Sequence, residues 1–426
     1  MMTHSTIALI IIVVIFILYI TEVFSVATTT MIGMLAFIFT GILSYEEAFN
    51  CFASTPVMLT LGVIMIANSL VDNGIGSSIE KLMVHVEQRS EKSLALIVLL
   101  TTAFISIFTN NSAIVATYMP LLASISMMTH GHITKKNTYM PLAVGSLLGG
   151  TGSLAGGTAP LLANEVLAYS GAEEFRFFST LPVSLCVIIC IAICFWLFLY
   201  RLQLKWFDFE ETNSANLTGI HTIPFNKRNI VISIIVFLSC IILFIFRPFG
   251  WELGFIAITG VVILIATKCL DGKRALSETP WSAIITLGAA LAMAKGFVAS
   301  GAGHTIITWL MTTLGDNVLN PIVMVTIFLF TGFLLSQFMS NGSLVSMLCA
   351  IAIPMSIEVG IDPKPVALAC VFGSSFAMAT PVATTTVTMV QVAGYRFKDY
   401  FRFGGLVGVL CTITAWISII LIYDLI

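Results

Sequence analysis

Two short polar stretches, Thr109-Asn110-Asn111-Ser112 and Ser340-Asn341-Gly342-Ser343, constrain this chain more than anything else in it. Each interrupts an apolar run that would otherwise read as membrane-spanning helix. Amides and hydroxyls in hydrocarbon are costly unless something satisfies them. The same kind of cluster recurs about 230 residues further on, which points to a duplicated unit. Each is followed by a second break. The first half has Gly149-Gly150-Thr151-Gly152-Ser153, running on to Gly156-Gly157-Thr158-Ala159-Pro160. The second has Gly373-Ser374-Ser375, running on to Thr380-Pro381-Val382-Ala383-Thr384-Thr385-Thr386. Discontinuous helices at corresponding positions of two halves are the sequence signature of a transporter binding site.

Composition supports a membrane setting. Of 426 residues, 58% are apolar and only 9% charged, against about 25% charged in soluble domains. The formal net charge of −2 gives no case for nucleic acid. Met1 to Ser5 carry no Lys or Arg, so the start lacks the basic region of a cleavable signal peptide. The reading is an all-α polytopic protein of the plasma (inner) membrane. Nine cysteines are scattered, three of them (Cys186, Cys190, Cys194) on one helix face, where they pack as small hydrophobes.

Spans of the length a bilayer requires fall at 5–21, 26–43, 55–71, 138–170 (broken), 177–200, 229–246, 251–267, 281–299, 364–394 (broken) and 401–424. The stretches 93–129 and 320–358 carry a polar tip midway, with flanking pieces too short for full crossings. They read as re-entrant helical hairpins, which exist only where protein or a cavity lines them. With the first span running inward, 15 of the 19 basic residues fall on the cytoplasmic side, among them Lys135, Lys136, Lys268, Lys273 and Arg274. Both termini are then non-cytoplasmic. The polar linker 201–228 divides the chain into 1–200 and 229–426, each with five crossings and one hairpin. An odd number of crossings inverts the second half, giving a 5+5 inverted-topology repeat.

Acidic residues sit mostly in connections, only Glu22 and Glu165 lying near apolar spans, with Lys295 inside one. Proton-coupled carriers place ionisable residues in the membrane core. Here the core offers neutral oxygens, which suit Na⁺, and half-helix N-termini, which suit an anion. Asn111 and Asn341 can each present a carbonyl to a cation or an NH₂ to a carboxylate. Ser112, Thr151, Ser340, Ser343 and Thr384 add hydroxyls.

With these pieces placed, the chain resembles the divalent-anion/sodium symporter family of the ion transporter superfamily, the sodium-coupled dicarboxylate, citrate and sulfate transporters. Asn110-Asn111-Ser112, with Pro120 downstream, and Ser340-Asn341-Gly342 resemble that family's two Ser-Asn-Thr hairpin signatures. Gly149-Gly150-Thr151 through Pro160 resembles its first broken-helix loop, and Thr380-Pro381-Val382-Ala383-Thr384 its second. Three departures stand out. Gly342 replaces a Thr, Ala383 a Gly, and Thr385-Thr386-Val387 a Pro-Pro-Asn run.

The resemblance implies secondary active transport of a small anion such as a di- or tricarboxylate, with Na⁺ as the coupling ion and no other cofactor. It implies an elevator-type mechanism in a homodimer, with 93–170 and 320–394 moving against a scaffold that includes 26–71 and 229–299. It places substrate at Asn110, Asn111, Ser112, Ser340, Asn341, Gly342, Ser343, Thr158 and Thr384. It places one Na⁺ near Asn111, Thr151, Gly152 and Gly156, and another near Asn341, Ala379 and Ala383. An inorganic-oxyanion carrier and an arsenite or cation/proton antiporter-type permease stay open as alternatives. An intramembrane enzyme is disfavoured, since no His-Glu-x-x-His motif or paired membrane aspartates appear.

Overall fold

Apolar runs in this chain fold as helices because a helix satisfies its own backbone polar groups within the segment. The computed structural model describes residues 3–21, 23–73, 90–129, 132–209, 227–246, 250–279, 281–302, 305, 320–337, 341–380 and 384–425. All regular structure among them is helical. Glu22, Ser340 and Ala383 lie outside the described residues, as do most of the 201–228 linker and the side chain of Ser343.

The first half comprises α1 (His4–Thr21), α2 (Val26–Phe39), α3 (Tyr45–Asn50) and α4 (Thr55–Asp72). Then come the arms α5 (Glu91–Ser106) and α6 (Asn111–Met128), the broken pair α7 (Lys135–Gly149) and α8 (Thr158–Tyr169), and α9 (Leu181–Trp206). The second half comprises α10 (Lys227–Phe246), α11 (Leu253–Ala266), α12 (Gly272–Glu278) and α13 (Trp281–Ala299). It continues with the arms α14 (Pro321–Ser336) and α15 (Asn341–Glu358), the broken pair α16 (Pro363–Ser375) and α17 (Thr385–Met389), and α18 (Phe397–Ile422). Helix α9 runs past the expected end at residue 200, because Arg201 to Trp206 continue the helix with polar side chains beyond the apolar run. Among the described residues four helices are long and apolar enough to cross a membrane: Tyr45–Leu70, Leu181–Trp206, Arg228–Phe246 and Phe397–Ile422.

Element contacts come in reciprocal pairs. In each half the first hairpin arm packs on the first piece of the broken helix, α5 on α7 and α14 on α16. Across the halves, α2 packs on α13 as α11 packs on α4. Helix α1 lies on α2 as α10 lies on α11, and α9 packs against α18. The second hairpin arm of each half meets the second broken piece of the other, α15 on α8 and α6 on α17.

Glycine permits the two arm contacts. Gly145 presses on the Leu99 carbonyl and Gly373 on the Leu329 carbonyl, and a side-chain carbon at either would overlap that oxygen. Leu99 and Leu329 stand the same distance in sequence before Asn111 and Asn341, so the two tips share one register relative to the helix beneath them.

Bonds also join the halves. The Tyr395 hydroxyl donates to the Lys136 carbonyl at 2.6 Å and accepts from the Met140 amide at 3.0 Å. At the opposite end Lys364 pairs with Glu173 at 2.8 Å and holds its carboxyl below the usual range by that bond. The residues carrying the two joints are those that the charge bias assigns to opposite membrane faces.

Candidate functional site

Four helix ends meet around a cavity of about 430 Å³. Asn110, Asn111 and Ser112 enter it from the start of α6, and Gly156, Gly157 and Thr158 from the start of α8. Asn341 and Gly342 enter from the start of α15, and Thr384, Thr385 and Thr386 from the start of α17. The remaining wall comes from the starts of α2 (Ser25, Ala27) and α13 (Ser282, Thr286, Leu287), with Leu147 and Leu162 supplying apolar surface. None of the described lining residues is ionisable. Helix starts carry unpaired N–H groups and partial positive charge, so α6, α8 and α15 favour an anion in this cavity.

The first tip is tightly held. The Ser106 hydroxyl donates to Asn111 Oδ1 at 2.7 Å, and the Ser146 hydroxyl to the Asn111 carbonyl at 2.9 Å. Asn110 Oδ1 caps α6 by accepting from the Ser112 amide at 2.9 Å. The Asn111 carboxamide lies directly over Gly150, where any side chain would displace it. Its Nδ2 has no hydrogen-bond partner among the described residues and remains free to donate.

Beneath the tip, α5 and α7 end and turn their last carbonyls into the 150–157 loop. The Ser106, Gly150 and Ile107 oxygens converge on the place that a side-chain carbon on Gly156 would take, at 2.7, 3.0 and 3.0 Å from it. The Ser153 hydroxyl fixes this cradle. It donates to the Ile107 carbonyl and accepts from the Ala155 and Gly156 amides at 3.1 and 3.2 Å. Three carbonyl oxygens around one small space form a donor set that fits a hard monovalent cation.

The second half repeats the lock with other atoms. The Thr380 hydroxyl donates to the Gln337 carbonyl at 2.6 Å, and Gln337 Oε1 accepts from the Ala379 amide at 2.9 Å. Ile107 and Gln337 each stand four residues before their tip Asn. Asn341 Oδ1 is buried without a hydrogen-bond partner among the described residues, and an orphaned carbonyl oxygen also fits a cation. Gly342 leaves room on the wall, since a side-chain carbon there would meet only Thr158 Oγ1 at 3.5 Å and Leu162 at 3.7 Å.

Other sequence candidates lie elsewhere. The Thr151 hydroxyl donates to the Leu148 carbonyl at 2.8 Å and bonds Ser184 Oγ at 3.1 Å, turning it toward α9 and away from the cavity. Gly152 packs on Ile107. Thr384 lines the cavity, and its hydroxyl caps α17 by accepting from the Val387 amide at 3.4 Å. Glu165 stands one turn before Tyr169 on the same helix, and Lys295 Nζ sits 5.7 Å from the Tyr169 ring. Neither lines the cavity. Sequence reasoning missed Ser25, Ser282, Thr286, Thr385 and Thr386. Only the last two carried a signal, as part of the Thr run after Pro381.

The base of the first hairpin is held by Glu91. Its carboxylate accepts from the Thr134 amide at 2.7 Å, the Thr134 hydroxyl at 2.6 Å, Asn137 Nδ2 at 2.9 Å and the Tyr200 hydroxyl at 2.7 Å. One side chain thereby joins α5, the start of α7 and α9. Removing a part-buried charge that satisfies four donors costs about 3 kcal/mol or more, whereas Tyr200→Phe removes one donor and costs about 1 kcal/mol. Thermal scans of purified protein should show a clearly larger drop in midpoint for Glu91→Ala than for Tyr200→Phe. Equal drops would refute the role given to the carboxylate.

An apolar, all-helical chain whose interrupted helices enclose a neutral polar cavity has the build of a membrane transporter. The comparisons agree. Residues 16–373 match the citrate transporter family, and the chain belongs to that family. It is a transporter, not an enzyme, and integral to a membrane. The sodium-dependent dicarboxylate transporter SdcS of Staphylococcus aureus, from strain NCTC 8325 / PS 47 as from strain COL, is 25% identical over 88% of this chain and 78% of its own. The YdaH transporter of Alcanivorax borkumensis shares the fold, with a TM-score of 0.57 over 92% of this chain and 89% of that one, at 13% identity.

Proposed function

We propose that this protein is a Na⁺-coupled symporter of a small di- or tricarboxylate. The observation that carries this is the convergence of both Asn tips and both broken-helix starts on one cavity with no ionisable side chain among its described lining residues. Anion charge there is balanced by helix starts and by co-bound Na⁺, at the cradle near Gly156 and beside Asn341 Oδ1. The anion meets Asn110, Asn111, Ser112, Thr158, Asn341 and Gly342, with Thr384 shaping the wall and Ser340 and Ser343 completing the second tip. The sodium-dependent relative supports the coupling ion.

The reciprocal helix contacts support a 5+5 inverted repeat divided at 201–228, with 93–129 and 320–358 as re-entrant hairpins. The hairpins and broken helices form the transport domain of an elevator in a homodimer, and α2, α4, α11 and α13 belong to the scaffold. The cavity reaches the starts of α2 and α13, and the basic Lys268, Lys273 and Arg274 precede α13 in sequence, which supports a conformation that faces the cytoplasmic side of the inner membrane. Uptake of labelled succinate and citrate into proteoliposomes, driven in turn by a Na⁺ and a proton gradient, tests the reading. Uptake driven by protons alone, or by neither gradient, would overturn it.

A further inference from the structure

Aligned at their N-caps, Gly157 and Thr384, the two broken-helix starts set Thr158-Ala159-Pro160 against Thr385-Thr386-Val387. The second half thus places a hydroxyl, that of Thr386, where the first has an alanine. Both Thr385 and Thr386 line the cavity. Thr386 is 3% exposed, and neither hydroxyl has a hydrogen-bond partner among the described residues. The commonest fate of a helical Thr is a bond back to the preceding turn. Thr388 follows it, donating to the Thr384 carbonyl at 3.0 Å. Thr385 and Thr386 open the helix and have no preceding helical turn to return to. Thr385 is exposed where Thr386 is buried, and a cavity-facing hydroxyl left unbonded by the protein is one that a ligand can satisfy.

The rest of the cavity narrows the ligand. A carboxylate brings acceptors only, and it is matched by N–H groups at helix starts, by the Asn111 amide and by Na⁺. N–H groups and Na⁺ cannot accept a hydrogen bond from a ligand hydroxyl, whereas a threonine oxygen accepts and donates alike. Ser112 and Thr158 also carry hydroxyls in the cavity, but only the second broken-helix start places two side by side. We propose that Thr385 and Thr386 receive the hydroxyl of a hydroxy-carboxylate, and that the carrier selects hydroxylated polycarboxylates over their deoxy counterparts. This rests on the polycarboxylate reading above. Sites that bond a substrate hydroxyl reject the analogue lacking it, because their own polar groups are then left unpaired.

The test uses two matched pairs differing by one hydroxyl, malate with succinate and citrate with tricarballylate. Each acid is titrated against purified full-length protein in saturating Na⁺, with stabilisation against heat as the readout. We expect the hydroxylated member of each pair to bind about ten-fold tighter. The Thr385→Val, Thr386→Val double variant should bring the ratio close to one, and the Thr385→Ser, Thr386→Ser variant should restore it. Folding of either variant is checked by its melting point without ligand, and the wild-type ratio is decisive by itself. A wild-type ratio near one overturns the proposal. So does a Val variant that weakens both members of a pair equally, since the hydroxyls would then be binding carboxylates. If none of the four acids stabilises the protein, the polycarboxylate reading itself falls.

Discussion

Gly156→Ala is expected to abolish Na⁺-driven uptake while leaving a folded protein. The added carbon would lie 2.7 Å from the Ser106 oxygen and 3.0 Å from those of Gly150 and Ile107. All three are backbone atoms, and Ser153 ties one of them down, so they cannot swing aside as a flexible side chain would. The methyl therefore presses on the carbonyl oxygens that we assign to the cation and spreads them apart. Na⁺ affinity should fall by about a hundred-fold or more, a loss of about 2.7 kcal/mol, read from the Na⁺ dependence of thermal stability and of uptake. Gly405→Ala is the control, because a carbon there meets only Ala379 Cβ at 3.6 Å, an ordinary contact. It should retain uptake. Na⁺ affinity of Gly156→Ala within two-fold of wild type would place the cation elsewhere.

Asn341→Ala should lower affinity for anion and Na⁺ together, each by about ten- to a hundred-fold. The change removes a buried oxygen with no partner among the described residues and an amide at the start of α15 that faces the cavity. Losing one hydrogen bond to a charged group costs about 1.5–3 kcal/mol, which sets the range through the usual factor of ten per 1.4 kcal/mol. Asn341→Asp keeps the shape but puts a negative charge beside an anion, so it should impair anion binding and spare or tighten Na⁺. Binding titrations of both ligands on both variants decide the point. Wild-type affinity for every anion in Asn341→Ala would mean that the second tip takes no part in the site.

How much of this was legible beforehand differs from residue to residue. The Asn tips could be read because amides inside an apolar run are costly, and the structure brings both to one cavity. Gly156 was legible as part of a break, although the carbonyl cradle around it depends on where α5 and α7 end in space. Thr151 looked like a ligand because sequence shows that a hydroxyl is present and not which way it turns; the nearby Ser184 on α9 captured it. Ser25, Ser282 and Thr286 left no trace, since nothing local separates a cavity-facing hydroxyl near a helix start from an ordinary cap. Thr385 and Thr386 registered only as departures from a familiar motif. Their meaning required seeing that α17 starts there and leaves them without a preceding turn.

The neutrality of the cavity wall has an electrical consequence. A site with no ionisable side chain among its described lining residues would bring no full charge of its own from one side of the membrane to the other in the transport proposed above. In that symport, the potential would then act on the loaded step chiefly through the summed charge of the cargo. A divalent anion with two Na⁺ travels as a neutral load, and a third Na⁺ would let an inside-negative potential pull it inward. A trivalent anion with two Na⁺ would be held back by that potential, at about 2.3 kcal/mol per elementary charge per 100 mV. For the proposed symport, the protonation state of the acid and the number of Na⁺ that accompany it together decide whether voltage assists or opposes transport.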